Sequence, residues 1–464
     1  MSSPRDVFFT LARSAQAVDG RFFGEGTLRL GPRIIDSRRC GEGDFFIALA
    51  GEKSDGHDYV EEAFKKGASA VLVSEDFWST RGERLLSSYP HNGFIVVPET
   101  LKALQKWAAS YREAFLSETL RIGITGSSGK TTVKEILGSI LTHQGPTGMN
   151  PGNLNSDIGL PLILLDLPPH LEYAVLEMGV NRPGEMDELV EVFQPQMALV
   201  THIGTAHIGP LGSRQGIADE KRKIFRHLTP RGGAVVWAGD GHKDYLLEGI
   251  SAPVLLFGED QKGFKGATDL GFEGWVLHFE GGDFPFPLMG RHNMHNALAA
   301  VTAARHAGAS WAAVAAGLAE QKPLFGRGEV FPGPVTVVAD CYNANPESFL
   351  RGLETLNKLP WKGRKLLVAG AMGELGGSSE EAHRSLGSQI AGEALDGVFF
   401  FGVSSRPAWE AASSGRFHLF FTEDYRSLEA EVLKYVRPGD LIYLKGSRVT
   451  ALERLIEPLR SFHV

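Results

Sequence analysis

The chain is expected to fold as an α/β protein with mostly parallel sheets, divided among three domains. Its 464 residues exceed one ordinary domain, and about three is the natural division for that length. Short, continuous apolar runs recur along the chain and alternate with stretches of helical spacing, the pattern of strands buried between helices. Near the middle, the apolar run Leu120 to Thr125 passes through Gly126-Ser127-Ser128-Gly129 into a segment with Val133, Ile136, Leu137, Ile140 and Leu141 at helical spacing. Strand, glycine loop and helix in that order are the layout of a phosphate-binding loop. The central domain is therefore expected to carry a parallel sheet of the P-loop ATPase type.

Composition narrows the class. The chain is 43% apolar and 22% charged, the balance of a soluble globular protein. A net charge of −8 argues against a nucleic-acid surface, although local basic clefts for phosphates remain compatible with it. No segment has the apolar length of a membrane span, and residues 1–15 lack the basic flank and apolar core of a secretory signal. Cys40 and Cys341 are far apart in sequence and read as free thiols in a reducing compartment. A cytoplasmic location is expected.

The first domain is expected over residues 1–118. Phe45 to Leu49 and Ala70 to Val73 read as short buried strands, and Tyr59 to Lys66 as a helix stopped by Gly67. A helix from Leu101 to Phe115 leads into the second domain, expected over 119–330. There, strands are read at Tyr173 to Glu177 and Met197 to Thr201, and an Ala-rich helix from Asn296 to His306. Pro332-Gly333-Pro334 marks a hinge into the third domain, 331–464. This is a Rossmann-like doubly wound sheet with strands at Val335 to Asp340, Lys365 to Ala369, Val398 to Phe401 and Leu441 to Leu444.

The chemistry is concentrated at strand ends. In the loop, backbone N–H groups at a helix start favour an anion. Lys130 would reach the outer phosphates of a nucleotide, and Thr131 or Thr132 would hold Mg²⁺. The usual pattern carries a further Gly where this chain has Ile124; the shorter form is Thr-Gly-x-x-Gly-Lys-Thr-Thr. An ordinary glycine-rich turn would explain Gly126 and Gly129 alone, but not the Lys-Thr-Thr that follows directly. Glu177 closes a buried strand and is suited to Mg²⁺. His207, after another strand, could supply a nitrogen ligand to a second ion. Lys221-Arg222-Lys223, taken alone, is a solvated basic helix face.

Read together, these motifs resemble the Mur ligase family, ATP-dependent amide-bond ligases of peptidoglycan precursor synthesis. The shared residues are the Thr-Gly-x-x-Gly-Lys-Thr-Thr loop, Glu177, His207, the Lys-x-x-Ile-Phe segment from Lys221, Gly290 to Asn296, Gly326-Arg327, Asp340 to Pro346 and Lys445 to Arg448. Asp36-Ser37-Arg38, Gly43 to Leu49 and Asp55-Gly56-His57 extend the likeness to the first domain, so it covers essentially the whole chain in one order. Tyr342-Asn343-Ala344-Asn345-Pro346, Leu176 to Glu185, and Met372-Gly373-Glu374-Leu375-Gly376 with His383 are similar to the branch that adds D-alanyl-D-alanine to UDP-N-acetylmuramoyl-tripeptide. The Asp-Asn-Pro-Arg of the diaminopimelate- or lysine-adding branch is absent.

The resemblance implies a set of roles. ATP would phosphorylate a carboxylate to an acyl phosphate, which the incoming amine attacks. Gly126, Ser127, Ser128, Gly129, Lys130, Thr131 and Thr132 would bind the phosphates, Asn293 and Asn296 the adenine, Arg327 the phosphates, and Asp340 the ribose. Thr131 and Glu177 would hold one Mg²⁺, and His207 with a carbamylated Lys221 a second; Lys223 is the alternative lysine, with poorer spacing to Ile-Phe. Ser37 and Arg38 would bind the uridine diphosphate end. One or more of Asn150, Asn153 and Asn155 would face the phosphates, and Tyr342, Asn343 and Asn345 would line the adenosine and dipeptide region. Residues 1–118 would take the UDP-sugar-peptide and 331–464 the dipeptide, in a monomer. Two other readings stand beside this one. A sibling ligase would add a single amino acid or act on folate, and a nucleotide-binding regulator would lack ligase activity.

Overall fold

The structure, a computed structural model, describes residues 3–51 and 54–462. By contacts the chain forms two compact units. One comprises residues 1–121, 148–174 and 187–194; the other comprises 122–147, 175–186 and 195–464.

The first unit carries a five-stranded sheet, β1 (Arg21–Phe23), β2 (Arg33–Ile34), β3 (Phe45–Ile47), β4 (Ala70–Ser74) and β5 (Gly93–Val97), in the order β1-β5-β4-β3-β2. Only β1 runs antiparallel among the paired strands. Strands β3 and β5 are buried along their whole length, as parallel strands covered on both faces must be. The helix Thr100–Phe115 begins one residue before the expected Leu101 and buries Leu104, Trp107, Ala108 and Tyr111 at helical spacing.

A six-stranded sheet follows, with β6 (Leu120–Thr125), β7 (Thr147–Met149), β8 (Tyr173–Glu177), β9 (Met197–Val200), β10 (Gly233–Trp237) and β11 (Val254–Phe257), in the order β11-β10-β9-β6-β8-β7. Strands β6, β9, β10 and β11 pair in parallel, so their carboxyl ends share one edge. The helix Lys130–Thr142 leaves β6 and buries the five apolar residues that the spacing selected. It packs on the helices Arg291–His306 and Trp311–Ala319. That approach is close: a Cβ on Gly317 would lie 2.5 Å from the Ile140 backbone. A three-stranded antiparallel sheet, β12 (Phe264–Asp269), β13 (Trp275–Phe279) and β14 (Gly282–Phe286), was not anticipated. Its alternating burial in β13 is the period-2 signal of a strand with one covered face.

The last sheet has β15 (Glu329–Phe331), β16 (Thr336–Asp340), β17 (Lys365–Gly370), β18 (Gly397–Phe401), β19 (His418–Thr422) and β20 (Leu441–Lys445), in the order β15-β16-β20-β17-β18-β19. All of its pairings are parallel except that of β15. Alternation sorts its residues into two cores. Val338, Leu367, Val398 and Tyr443 pack with Phe349, Leu353 and Leu356 on one face. Val337, Leu366, Phe399 and Ile442 pack with Leu428, Val432 and Leu459 on the other. This is the doubly wound arrangement expected of a Rossmann-like sheet.

Candidate active site

Strand β6 delivers the chain into the phosphate loop, and two glycines make the loop possible. Gly126 has φ +146° and Gly129, capping the following helix, has φ +81°. A Cβ on Gly126 would lie 1.9 Å from Thr201 Oγ1, and one on Gly129 would lie 2.5 Å from Asn296 Oδ1. Neighbouring strand ends brace the turn. Thr201 Oγ1 donates to the Ser128 carbonyl at 2.6 Å, the Ser127 amide donates to the His202 carbonyl at 3.0 Å, and Gly204 N–H donates to Ser127 Oγ at 2.8 Å.

The catalytic candidates converge at the first turn of the helix Lys130–Thr142. Lys130 Nζ donates to the Gly126 carbonyl at 2.9 Å, curling over the loop. Burial lowers its pKa, partly offset by the Glu177 carboxylate. Thr131 Oγ1 donates to Glu177 Oε2 at 2.7 Å, so a hydroxyl and a carboxylate from adjacent strand ends face one point. Glu177 is 2% exposed. Thr132 is buried in the same turn. Two hard oxygen donors there fit Mg²⁺, which keeps water and nucleotide oxygens for its remaining positions. Among the described residues no group of three or more His, Cys, Asp or Glu side chains forms a ready cage.

Lys221 and Lys223 are separated by their surroundings. Lys223 Nζ pairs with Glu220 Oε2 at 2.7 Å. Lys221 is fully buried in the helix Arg214–Arg222, and its Nζ has no hydrogen-bond partner. Burial pushes its pKa well below the ordinary lysine value, and Lys130 pushes it the same way. A buried amine without a hydrogen-bond partner, near Lys130 and Glu177, sets Lys221 apart from the ion-paired Lys223. His207 sits in the left-handed region at φ +61°, and its Nδ1 lies 2.9 Å from Glu374 Oε2. Both line a cleft of about 360 Å³ with Asn181, Gly209, Pro210, Gly376 and Gly377.

The helix expected from Asn296 starts at Arg291, because its polar first turns carry no apolar stripe. Asn293 is buried, and its amide donates to the Met289 carbonyl at 2.9 Å; Asn296 donates to Asn293 Oδ1 at 3.3 Å and stands against Gly129. Arg327 donates to Thr131 Oγ1 at 3.3 Å and stacks 4.4 Å from the Tyr342 ring centroid. Asp340 and Lys445 are in register at the carboxyl ends of β16 and β20 and pair at 2.7 Å, with Tyr443 O–H donating to Asp340 at 3.0 Å. Asn343 Oδ1 accepts the Ala344 amide, and Asn345 caps the helix Pro346–Lys358. Buried His383 accepts the Met372 amide at 3.0 Å and so holds the 371–376 loop.

In the first unit, Ser37 Oγ donates to Glu62 Oε2 at 3.1 Å. Arg38, with an 82% exposed side chain, forks onto Asp36, whose carboxyl falls to about 2 chiefly through that hydrogen bond. Asn150 is buried and donates to the Leu154 carbonyl at 2.9 Å, and the Asn155 amide donates to the Asn153 carbonyl at 2.8 Å.

Three residues at the site carry no role that the sequence alone assigns. Glu374 stands out in the sequence only within the Met372 to Gly376 motif. Glu347 Oε2 accepts from Thr205 Oγ1 at 2.7 Å, and Arg351 donates to Ser128 Oγ at 3.4 Å. Both lie on the helix Pro346–Lys358, and no local signal marks either as more than a surface charge.

Comparison with known proteins defines the class. Residues 34–112 match the Mur ligase family catalytic domain, 124–304 the Mur ligase middle domain, and 326–448 the Mur ligase glutamate ligase domain. The chain belongs to the Mur ligase family. More particularly, it is 36% identical over 463 residues to the UDP-N-acetylmuramoyl-tripeptide–D-alanyl-D-alanine ligase of Treponema pallidum, covering 97% of this chain and 95% of the relative. A crystal structure of MurF from Acinetobacter baumannii superposes with a TM-score of 0.86 at 33% identity, covering 97% of this chain and 98% of that one. The MurF ligase from Thermotoga maritima in complex with ADP gives 0.77 at 29% identity, covering 92% and 97%.

Proposed function

We propose that the chain joins D-alanyl-D-alanine to UDP-N-acetylmuramoyl-tripeptide at the expense of ATP, giving the pentapeptide precursor of peptidoglycan, in the cytoplasm. The observation that carries this reading is the full-length likeness to a ligase of that name, with the phosphate loop, Glu177, His207 and Lys221 all present at one edge of the central sheet. Residues 1–118 would take the UDP-sugar-peptide, with Ser37 and Arg38 at the uridine diphosphate end. Residues 119–330 would take ATP, and 331–464 the dipeptide. No helix among the described residues is long and apolar enough to cross a membrane.

The first step brings two anions together, the tripeptide carboxylate and the outer phosphate of ATP. Lys130 and the N–H groups at the start of its helix would offset that repulsion and hold the phosphate in line for transfer. Arg327, already at Thr131, would bind the phosphate chain, while Asn293 and Asn296 approach adenine and Asp340 the ribose. From the cleft lined by His207 and Glu374, the dipeptide's amine, its ammonium proton given up to solvent, would then attack the acyl carbon of the acyl phosphate, forming the C–N bond as the acyl C–O bond breaks and phosphate leaves. Glu374 would accept the ammonium there; Tyr342, Asn343 and Asn345 would border the adenosine and dipeptide. Thr131 and Glu177 would hold one Mg²⁺, and His207 with carbamylated Lys221 another. These ions would neutralise phosphate charge.

The test is phosphate release from ATP by the purified chain, offered UDP-N-acetylmuramoyl-tripeptide with D-alanyl-D-alanine or with single amino acids. Release that needs both the tripeptide and the dipeptide is expected. Release with a single amino acid would move the chain to a sibling ligase, and ATP binding without release for any pair would make it a regulator.

A further inference from the structure

The helix Pro346–Lys358 presents Glu347 and Arg351 four positions apart, hence on one face. Both reach the phosphate-loop region. Glu347 accepts from Thr205 at 2.7 Å, and its carboxylate carbon lies 3.2 Å from where a Cβ on Gly204 would stand. Arg351 Nη1 donates to Ser128 Oγ, whose other neighbour is His202 Nε2, also at 3.4 Å.

The environment of Arg351 is unusual for a structural arginine. Its guanidinium is partly buried, and that desolvation lowers its pKa. Glu347 and Glu354, on the same helix, favour its charge from a distance, yet no carboxylate forms an ion pair with it among the described residues. A guanidinium has five N–H donors and stays charged in proteins. Arg351 uses one of them, in a single long hydrogen bond to a neutral hydroxyl. Its charge also helps hold buried His202 neutral. A partly desolvated cation with unused donors and no paired carboxylate is stabilised by an anion placed beside it. The group beside it is a loop whose glycines and helix start are shaped for phosphate.

We propose that Arg351 is a second phosphate-binding arginine, besides Arg327, supplied by the helix Pro346–Lys358 to the phosphate chain of the bound nucleotide. Ser128 Oγ holds the guanidinium in place, and the nucleotide oxygens take the remaining donors. Glu347, one turn earlier, fixes the helix against Thr205 so that Arg351 arrives in register. The inference rests on the ATP-dependent reading above and adds a residue to it. It also assigns a ligand chemistry: the site recognises di- and triphosphate, and adenosine gains nothing from Arg351.

Calorimetric titration of the full chain with ADP, ATP and adenosine, Mg²⁺ present, tests this on the wild type and on R351A, R351Q, R351K and K130A. R351A and R351Q are expected to weaken ADP and ATP by roughly tenfold or more and to leave adenosine unchanged, the loss expected for a charge-assisted hydrogen bond. R351K should recover part of the affinity, since it restores the charge without the fork. Unfolding midpoints without nucleotide should not fall, because the removed charge had no ionic partner; a merely structural arginine would lower them. Wild-type affinity for ADP and ATP in folded R351A, or in R351Q should the alanine variant not fold, would overturn the proposal alone. A wild type that binds neither nucleotide, like K130A, would overturn both the proposal and the reading beneath it.

Discussion

Glu374 and His207 meet at 2.9 Å, each with its backbone in the left-handed region, at φ +62° and +61°. Two strained non-glycine residues are thus locked by one side-chain contact, and the lock uses Nδ1, so Nε2 is the nitrogen that would meet the proposed second ion. The hydrogen bond from His207 is the main reason the Glu374 carboxyl lies below its usual range. Removing the carboxylate in Glu374→Ala is expected to lower turnover about tenfold to a hundredfold, as for other partners that orient a metal-binding histidine. ADP affinity should be unchanged, and steady-state rates set beside an ADP titration separate the two. Equal turnover in the variant would leave Glu374 without a role.

Lys221 is expected to carry a carbamate. Its buried amine has no hydrogen-bond partner, and burial favours the uncharged form, the one that reacts with carbon dioxide. In ¹³C-bicarbonate, the protein should show one carbamate carbon resonance that disappears in Lys221→Ala, while Lys223→Ala retains it. Turnover of Lys221→Ala should fall by at least about a hundredfold. A resonance that survives in Lys221→Ala would assign the modification elsewhere.

Gly126 tolerates no side chain. Substitution by alanine sets a methyl 1.9 Å from Thr201 Oγ1 and forces φ +146° on a residue that avoids it. The expected cost is about 2–4 kcal/mol by urea denaturation, together with loss of nucleotide binding. A variant as stable as the wild type would show that the loop relaxes freely.

His292 sets an acid limit on stability. Burial lowers its pKa to about 4, well under the 6.5 of an ordinary histidine, against the pull of Asp340. A depressed folded-state pKa means that the unfolded chain binds the proton more readily. This share of stability is present above pH 6.5, declines as the pH falls from 6.5 towards 4, and falls no further below that. Across that interval the decline should be on the order of 3–4 kcal/mol, from about 1.4 kcal/mol per pH unit. Urea midpoints between pH 7 and 4.5 should fall less steeply in His292→Gln, and parallel curves would refute the assignment.

What could be read from the sequence was local. Strand β6, the loop and its helix follow one another without interruption, so Lys130 and Thr131 were placed by their own neighbours. Four strands of the last sheet are legible because burial on both faces leaves continuous apolar runs, whereas the half-buried edge strands β15 and β19 are not. Strands β12 to β14 carry no continuous apolar run, because β13 and β14 alternate and β12 has no buried position. Arg351 and Glu347 escaped for a different reason. Their partners Ser128 and Thr205 are 223 and 142 residues away, and no spacing rule reaches that far. Lys221 could be singled out only by resemblance, since its burial depends on what packs around its helix.

The phosphate loop and the strand-end residues beside it already have suitors within the protein. Thr131 holds Arg327 and Glu177, and His207 holds Glu374. A nucleotide or metal arriving there replaces contacts in place of simply adding them, so its affinity is a difference between two sets of bonds. Such an exchange favours moderate binding and quick departure of spent nucleotide, which suits a chain that must turn over and suits poorly one that must store its ligand.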